Sequence, residues 1–173
     1  MQPLETIRQL GYVVSDLDAA VEYWVQALNS GPFFLIKHCA VRNQIFRGQL
    51  SNVDVDIALG NSGDVQIELI FQHNDISSVY NESSASGHVG LHHIGLMPTD
   101  YEGTCKQYID RGYETAFQAT VSGAELVYFD TRKAIGHYTE LWERSDVFDD
   151  VARLVEEAAV GWDRKKPLRP MPV

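Results

Sequence analysis

Shifting the 173-residue sequence against itself by 84 positions superimposes Gly11-Tyr-Val-Val-Ser-Asp-Leu-Asp18 on Gly95-Leu-Met-Pro-Thr-Asp-Tyr-Glu102. A repeat constrains a chain more than any local propensity, because two copies of one unit must bury matching faces. In both copies an apolar run of strand character ends at a hydroxyl residue, Ser15 or Thr99, with an acid three positions on, Asp18 or Glu102. This capping-box pattern predicts helix starts capped by Ser15 and Thr99. Leu17 to Leu28 and Tyr101 to Arg111 carry apolar residues at helical spacing, and each meets a glycine stop at Gly31 or Gly112. The period then drops to two. Strands are expected over Phe33 to Val41, Ile45 to Leu50, Val53 to Leu59 and Val65 to Phe71, then over Tyr113 to Val121, Glu125 to Asp130 and Tyr138 to Trp142. Turn signals at Gly60 to Asp64 and at Ser122-Gly123 separate the last strands of each half.

Each half therefore reads β-α-β-β-β. The expected organisation is an α+β chain of two βαβββ modules, 1–73 and 91–143, joined by a Ser-, Asn- and Asp-rich linker over 74–90. Residues 144–173 form a C-terminal helix (Ser145 to Trp162, amphipathic, packed outside the sheets) and a basic, Pro-rich tail. Arg164 to Val173 hold four basic residues, three prolines and no acid, against 10 basic and 24 acidic residues in the body up to Asp163. Such a tail folds back on its own or a partner subunit, or stays solvated.

The formal charge of -10 argues against gripping nucleic acid, which needs clustered Lys and Arg to displace counterions. No run approaches the length of a membrane span, and Met1-Gln-Pro-Leu-Glu5 lacks the basic and apolar parts of a signal peptide. The expectation is a cytoplasmic protein without membrane or nucleic-acid partners. Cys39 and Cys105 form no CxxC pair and read as two buried thiols.

The offset of 84 sets Gln9 opposite His93, each two residues before a strand glycine, Gly11 or Gly95. Residues i and i+2 of a strand share a face. The last strand of each module carries a glutamate, Glu68 in Val65-Gln-Ile-Glu-Leu-Ile70 and Glu140 in His137-Tyr-Thr-Glu-Leu-Trp142. A carboxylate inside an apolar strand is costly to bury unpaired, so something compensates it. One Gln, one His and two Glu form an oxygen and nitrogen set for a divalent cation. His92 and His93 alternate faces, so one points inward; a bulge would make His92 the ligand. Tyr138 shares the face of Glu140, and Phe33, Tyr128 and Trp142 are strand aromatics placed to line an apolar pocket, although neighbours such as Phe33 and Phe34 must split between faces.

These residues resemble the vicinal oxygen chelate superfamily, which includes glyoxalase I, methylmalonyl-CoA epimerase, extradiol dioxygenases and bleomycin-resistance proteins. The carriers are Gln9-Leu-Gly-Tyr-Val-Val-Ser-Asp-Leu17, Ile67-Glu-Leu-Ile70, Gly90-Leu-His-His-Ile-Gly95 and Gly136-His-Tyr-Thr-Glu-Leu141, in order over residues 5 to 143. The resemblance implies paired modules curled into an open mixed β-barrel around one metal, held by Gln9, Glu68, His93 and Glu140. Zn, Ni, Co, Mn, Mg and Fe all suit such ligands. It implies a metal-dependent isomerase, epimerase or lyase that moves a proton next to a carbonyl through a metal-stabilised enolate. Glu140 is then the base, and Glu68 is the second acid or base. The substrate is a carbonyl compound or acyl thioester, contacted by Tyr138, Trp142, Phe33 and Tyr128, and the assembly is a homodimer. Val13 and Gln72 depart from the glutathione-dependent branch. Two alternatives stand beside this reading: a binding protein that sequesters a small molecule on the same scaffold, and a dioxygenase, disfavoured by the single imidazole of the set.

Overall fold

The computed structural model describes residues 6–82 and 89–172. Positions 1–5 of the expected first module, 83–88 of the expected linker and Val173 of the tail lie outside the described residues. The first half runs β1 (Ile7–Val13), α1 (Leu17–Ala27), β2 (Phe33–Ile36), β3 (Val41–Phe46), β4 (Gln49–Leu50), β5 (Val55–Ser62) and β6 (Val65–Gln72). The second runs β7 (Gly90–Leu96), α2 (Tyr101–Asp110), β8 (Thr115–Val121), β9 (Ala124–Phe129), the one-turn α3 (Arg132–Ile135) and β10 (Tyr138–Trp142). α4 (Asp146–Ala159) and β11 (Leu168–Pro170) complete the chain.

Both module helices start where the repeat places them, but their caps sit one residue later than expected. The Asp16 carboxylate accepts from the Ala19 amide, and the Asp100 carboxylate accepts from the Gly103 amide. A carboxylate at the positive end of a helix is a stronger acceptor than a hydroxyl, so Asp16 and Asp100 take the place of Ser15 and Thr99. α1 buries Val21 and Val25 on the outer sheet face against Phe33, Ala58, Ile67 and Leu69. α2 covers Val127, Phe129 and Leu141 with Tyr101, Cys105 and Tyr108.

All strands belong to one curled sheet in the order β11-β2-β5-β6-β1-β7-β10-β9-β8-β3-β4, open at its two ends. β1 and β7 pair antiparallel within the chain and join the halves, while β1 with β6 and β7 with β10 pair parallel. The result is the expected α+β open barrel with a C-terminal helix. Two expected strands are each divided. The run from Phe33 stops at Ile36, and His38 turns with φ 46° while its amide donates to the Asp56 carboxylate over 2.8 Å. Within Ile45 to Leu50, Arg47 and Gly48 adopt φ 44° and 78°, a two-residue turn that makes a hairpin of β3 and β4. That hairpin leaves its own half and pairs with β8, with Val41 opposite Val121 and Phe46 opposite Phe117.

The connection between the halves contributes to the core. Val79 and Tyr80 are buried with Phe117, Tyr128 and Tyr138, and Glu82 is held by Arg47 at 2.9 and 3.0 Å and accepts from the Tyr138 hydroxyl. α4, capped by the Ser145 hydroxyl, lays Val155 against Phe34 and Leu59. The basic tail returns to its own chain: β11 pairs parallel with β2, Leu168 opposite Phe33 and Pro170 opposite Leu35, and covers that sheet edge. No described helix is long and apolar enough to cross a membrane.

Phe33 packs with α1 on the outer face at 0% exposure, and its ring lies 2.8 Å from where a Cβ on Gly60 would stand. Truncation to Ala should therefore cost about 3–5 kcal/mol of unfolding free energy in urea melts.

Candidate active site

The site grows from four neighbouring strands, β6-β1-β7-β10. Strand register forms two rows across them: Glu68, Gly11, His93 and Tyr138 in one, and Gln66, Gln9, Gly95 and Glu140 in the next. The rows are related by the internal repeat. His93 crosses Gly11, and Gln9 crosses Gly95, so each half supplies the bare backbone over which the other half's ligand lies. A Cβ on Gly11 would fall 1.9 Å from the His93 ring, and one on Gly95 would fall 3.1 Å from Gln9. A flat sheet would set Glu68 and Glu140 three strand spacings apart, on the order of 14 Å. Curling brings ligand atoms of Glu68, His93 and Glu140 within 4.8 Å of one another.

A β-bulge decides what the two histidines do. Gly11 pairs with His93 but Tyr12 pairs with Leu91, which leaves His92 as the extra residue. Simple alternation, with one histidine in and the other out, therefore fails, and both rings are buried. His93 reaches Gln9, Glu68 and Glu140, while His92 packs among Tyr80, Tyr128 and Tyr138. The matching bulge in β1 falls between Ile7 and Gln9, at Arg8, the repeat partner of His92.

Hydrogen bonding then assigns the tautomers. The Val79 carbonyl only accepts, so His92 Nε2–H donates to it over 2.9 Å. Burial, then the charge of His93, holds His92 well below the ordinary histidine range, and the neutral ring presents Nδ1 as an acceptor. His93 Nδ1–H donates to that atom over 3.0 Å. The other nitrogen of His93, Nε2, faces Gln9 Oε1 at 3.1 Å, Glu68 Oε2 at 3.3 Å and Glu140 Oε2 at 3.1 Å. Gln9 is aimed by its amide Nε2–H, which donates to Gln66 Oε1 over 2.8 Å. Both Glu Oε2 atoms are buried without an aligned hydrogen-bond donor. Four electron-rich atoms thus converge, and a cation must sit among them: a proton on His93 or a metal ion. Burial pushes the His93 pKa down, but Glu140 and Glu68 outweigh it and lift it to about 9. Glu68 is raised, by burial first and by Glu140 last, against the pull of His93. A neutral imidazole, two carboxylates and an amide oxygen fit a divalent ion, and the neighbours that orient them are already in place.

A cavity of about 240 Å³ opens above this cluster. Gln9, Gln66, Glu68 and Glu140 lie at its floor, and its walls include Ile57, Leu59, Phe117, Leu126, Tyr128 and Trp142. Of the four aromatic residues expected to touch substrate, Tyr128 and Trp142 line this cavity. Phe33 does not, because the alternation of β2 turns it to the outer face under α1. Tyr138 is buried behind His92, with its hydroxyl on Glu82 and its ring under Arg132. Sequence reasoning missed several contributors. Gln66 follows from the period-two spacing to Glu68, but Tyr80 and the α4 residues Val147, Phe148, Val151 and Ala152, which all line the cavity, carry no local signal. A second group, His38, Asp56 and His73, lies nearer the surface with its ligand atoms within 4.8 Å of one another. Its two rings stack with centroids 4.8 Å apart and planes 28° apart, and each already bonds its own aspartate, Asp54 or Asp56, at 2.9 Å.

The Glyoxalase/Bleomycin resistance protein/Dioxygenase superfamily matches residues 8–129, and the chain belongs to that superfamily. No curated protein matches it significantly. Among solved structures it resembles a hypothetical protein from Bacillus halodurans, with TM-score 0.60 and 19% identity over 82% of this chain and 95% of that one. It also resembles methylmalonyl-CoA epimerase from Mycobacterium tuberculosis, with TM-score 0.57 and 15% identity over 87% and 97% of the two chains. The Streptomyces coelicolor epimerase, solved as a point variant in complex with 2-nitronate-propionyl-CoA, gives TM-score 0.52 and 20% identity over 84% and 98%. At these identities the likeness shows a shared fold.

Two outcomes follow from the geometry. The folded pKa of His93, about 9, stands above its ordinary 6.5, so its contribution to stability is complete below about pH 6.5 and is lost as pH rises through 9. Thermal melts of metal-free protein should fall across that window. A metal ion must displace the same proton, so divalent-metal affinity measured by calorimetry should rise over it. Second, Gly11→Ala should displace the His93 ring and weaken metal affinity by about tenfold or more, measured by competition with a chelating dye.

Proposed function

We propose that the chain is a metal-dependent enzyme that moves a proton at the carbon next to a carbonyl, as an isomerase, epimerase or lyase. The observation that carries this reading is the pair of buried glutamate oxygens, Glu68 Oε2 and Glu140 Oε2, which meet no aligned donor at the floor of an apolar cavity. Gln9, Glu68, His93 and Glu140 would hold the ion. A divalent ion there supplies Lewis acidity to a substrate carbonyl oxygen and so acidifies the neighbouring C–H.

The protein's own residues do the rest. Glu140 on β10 takes the proton as a carboxylate, and Glu68 on β6 returns one from the other side, because their strands flank β1 and β7 on opposite sides. The apolar walls exclude water and protect the carbanionic charge from random protonation. His92 keeps the Nε2 lone pair of His93 directed at the site, and Gln66 does the same for the Gln9 carbonyl. The fold similarity to methylmalonyl-CoA epimerases supports this chemistry. A dioxygenase is disfavoured by the donor set, since His92 turns both nitrogens away to Val79 and His93. Cys39 and Cys105 are both free, which supports a reducing compartment, the cytoplasm.

The test is deuterium incorporation next to the carbonyl of apolar ketones and acyl thioesters, followed by NMR in heavy water with metal-loaded protein. Glu140→Gln should slow exchange by about 100-fold or more while keeping the fold. Wild-type protein that binds no metal and exchanges no proton would leave the sequestering reading in its place.

A further inference from the structure

The charge pattern of the cavity narrows the substrate class. Its polar side-chain groups are amides, carboxylates, phenols, the indole of Trp142, one hydroxyl at Ser122 and one thiol at Cys39, and no Lys or Arg is among the described lining residues. Positions 83–88, outside the described residues, read Ser-Ser-Ala-Ser-Gly-His and contain no Lys or Arg either. The Cys39 thiol is pushed up to about 11 by burial, so it too is neutral. At the cavity floor two carboxylates, Glu68 and Glu140, face a single imidazole, His93.

Cations around the mouth sit among acids: Arg8 lines a small neighbouring pocket that shares Gln66, Trp142 and Ala152 with the cavity, and Asp64 and Glu156 line it too. Arg144 is paired with Asp149 at 3.0 Å, and Arg153 with Asp150 at 2.5 Å, both within α4 or beside it. At the far end of the sheet, Arg47 and Arg132 are engaged by Glu82 and Asp130. The rim on α4 is Val147, Phe148, Val151 and Ala152. A carboxylate or phosphate entering here would lose its water with no lining Lys or Arg to replace it, in a protein whose formal charge is already -10.

We propose that the cavity takes an uncharged, apolar carbonyl compound and rejects substrates that carry a free carboxylate or phosphate on the part that enters. The carbonyl in this statement rests on the proton-transfer reading above; the charge selection rests on the walls alone. The carbonyl oxygen lies toward Gln9, Glu68, His93 and Glu140. The apolar body lies along Phe117, Leu126, Tyr128 and Trp142 and is covered by α4.

The test uses two fluorescent probes of one skeleton, N-phenyl-1-naphthylamine, which is uncharged, and 8-anilinonaphthalene-1-sulfonate, which adds a sulfonate. The full chain should bind the uncharged probe saturably at one per chain and the anionic probe about tenfold or more weakly. Ala152→Trp, which fills the mouth, should abolish binding of the uncharged probe. Val151→Lys, which places a cation at the rim, should strengthen binding of the anionic probe by about threefold or more on the same assay, the order expected of one partly exposed charge. Circular dichroism confirms that each variant is folded, and the wild-type probe pair decides the matter if either variant is not. Equal affinity for the two probes, failure to bind the uncharged one, or binding that survives Ala152→Trp in folded protein would overturn the proposal. The assay needs neither metal nor turnover. Its failure is therefore separate from that of the proton-transfer reading, which metal content and deuterium exchange decide.

Discussion

His93 lies across Gly11 and Gln9 lies across Gly95, and this reciprocal crossing in the β1–β7 pair is the constraint on which the rest depends. It requires antiparallel pairing in one register, since a slip of one residue would send the ligands to opposite faces. It requires glycine at both crossing points. It also fixes where the flanking strands must present their acids, because Glu68 stands beside Gly11 and Glu140 beside Gly95. Two copies of a modest unit, neither holding a complete site, make one when they meet.

The crossing sets up an electrostatic problem that the surroundings are shaped to sustain. Two carboxylates, an imidazole lone pair and an amide oxygen repel one another when dry, and burial sharpens the repulsion. The structure holds them by bonds on their far sides: Val79 through His92 to His93, and Gln66 to Gln9. The repulsion is then available to bind a cation. Around this polar floor the walls are almost wholly apolar, so selection by shape and by charge comes from different residues.

Much of this was legible in the sequence, and the reasons differ by element. The offset of 84 located both module helices and the strands that precede them, because helical period and glycine spacing survive in both copies. Glu68 and Glu140 stood out because acids are costly inside apolar strands, and the structure draws both to His93. By alternation a bulge would exchange His92 for His93 as the ligand; the bulge is there, but it turns both rings inward and His93 keeps the site, since a bulge breaks the period on which alternation relies. Alternation left Phe33 and Phe34 undecided, and the outward placement of Phe33 is set by its packing under α1. The caps moved from Ser15 and Thr99 to Asp16 and Asp100 because both positions offer a side-chain acceptor and the charged one prevails. The roles of Tyr80 and α4 in the cavity come from contacts distant in sequence, which no local window contains.

The hairpin of β3 and β4 belongs by sequence to the first half and by pairing to the second. A chain leaving the ribosome N-terminus first therefore exposes this hairpin before β8 exists to receive it. The first half is left with an unsatisfied ribbon and an open edge on β1, and the ribbon waits for the whole stretch from Leu50 to Thr115 to emerge. The two halves, alike enough to suggest independent parts, thus become one folding unit by vectorial synthesis. Neither half is complete before the other has been made.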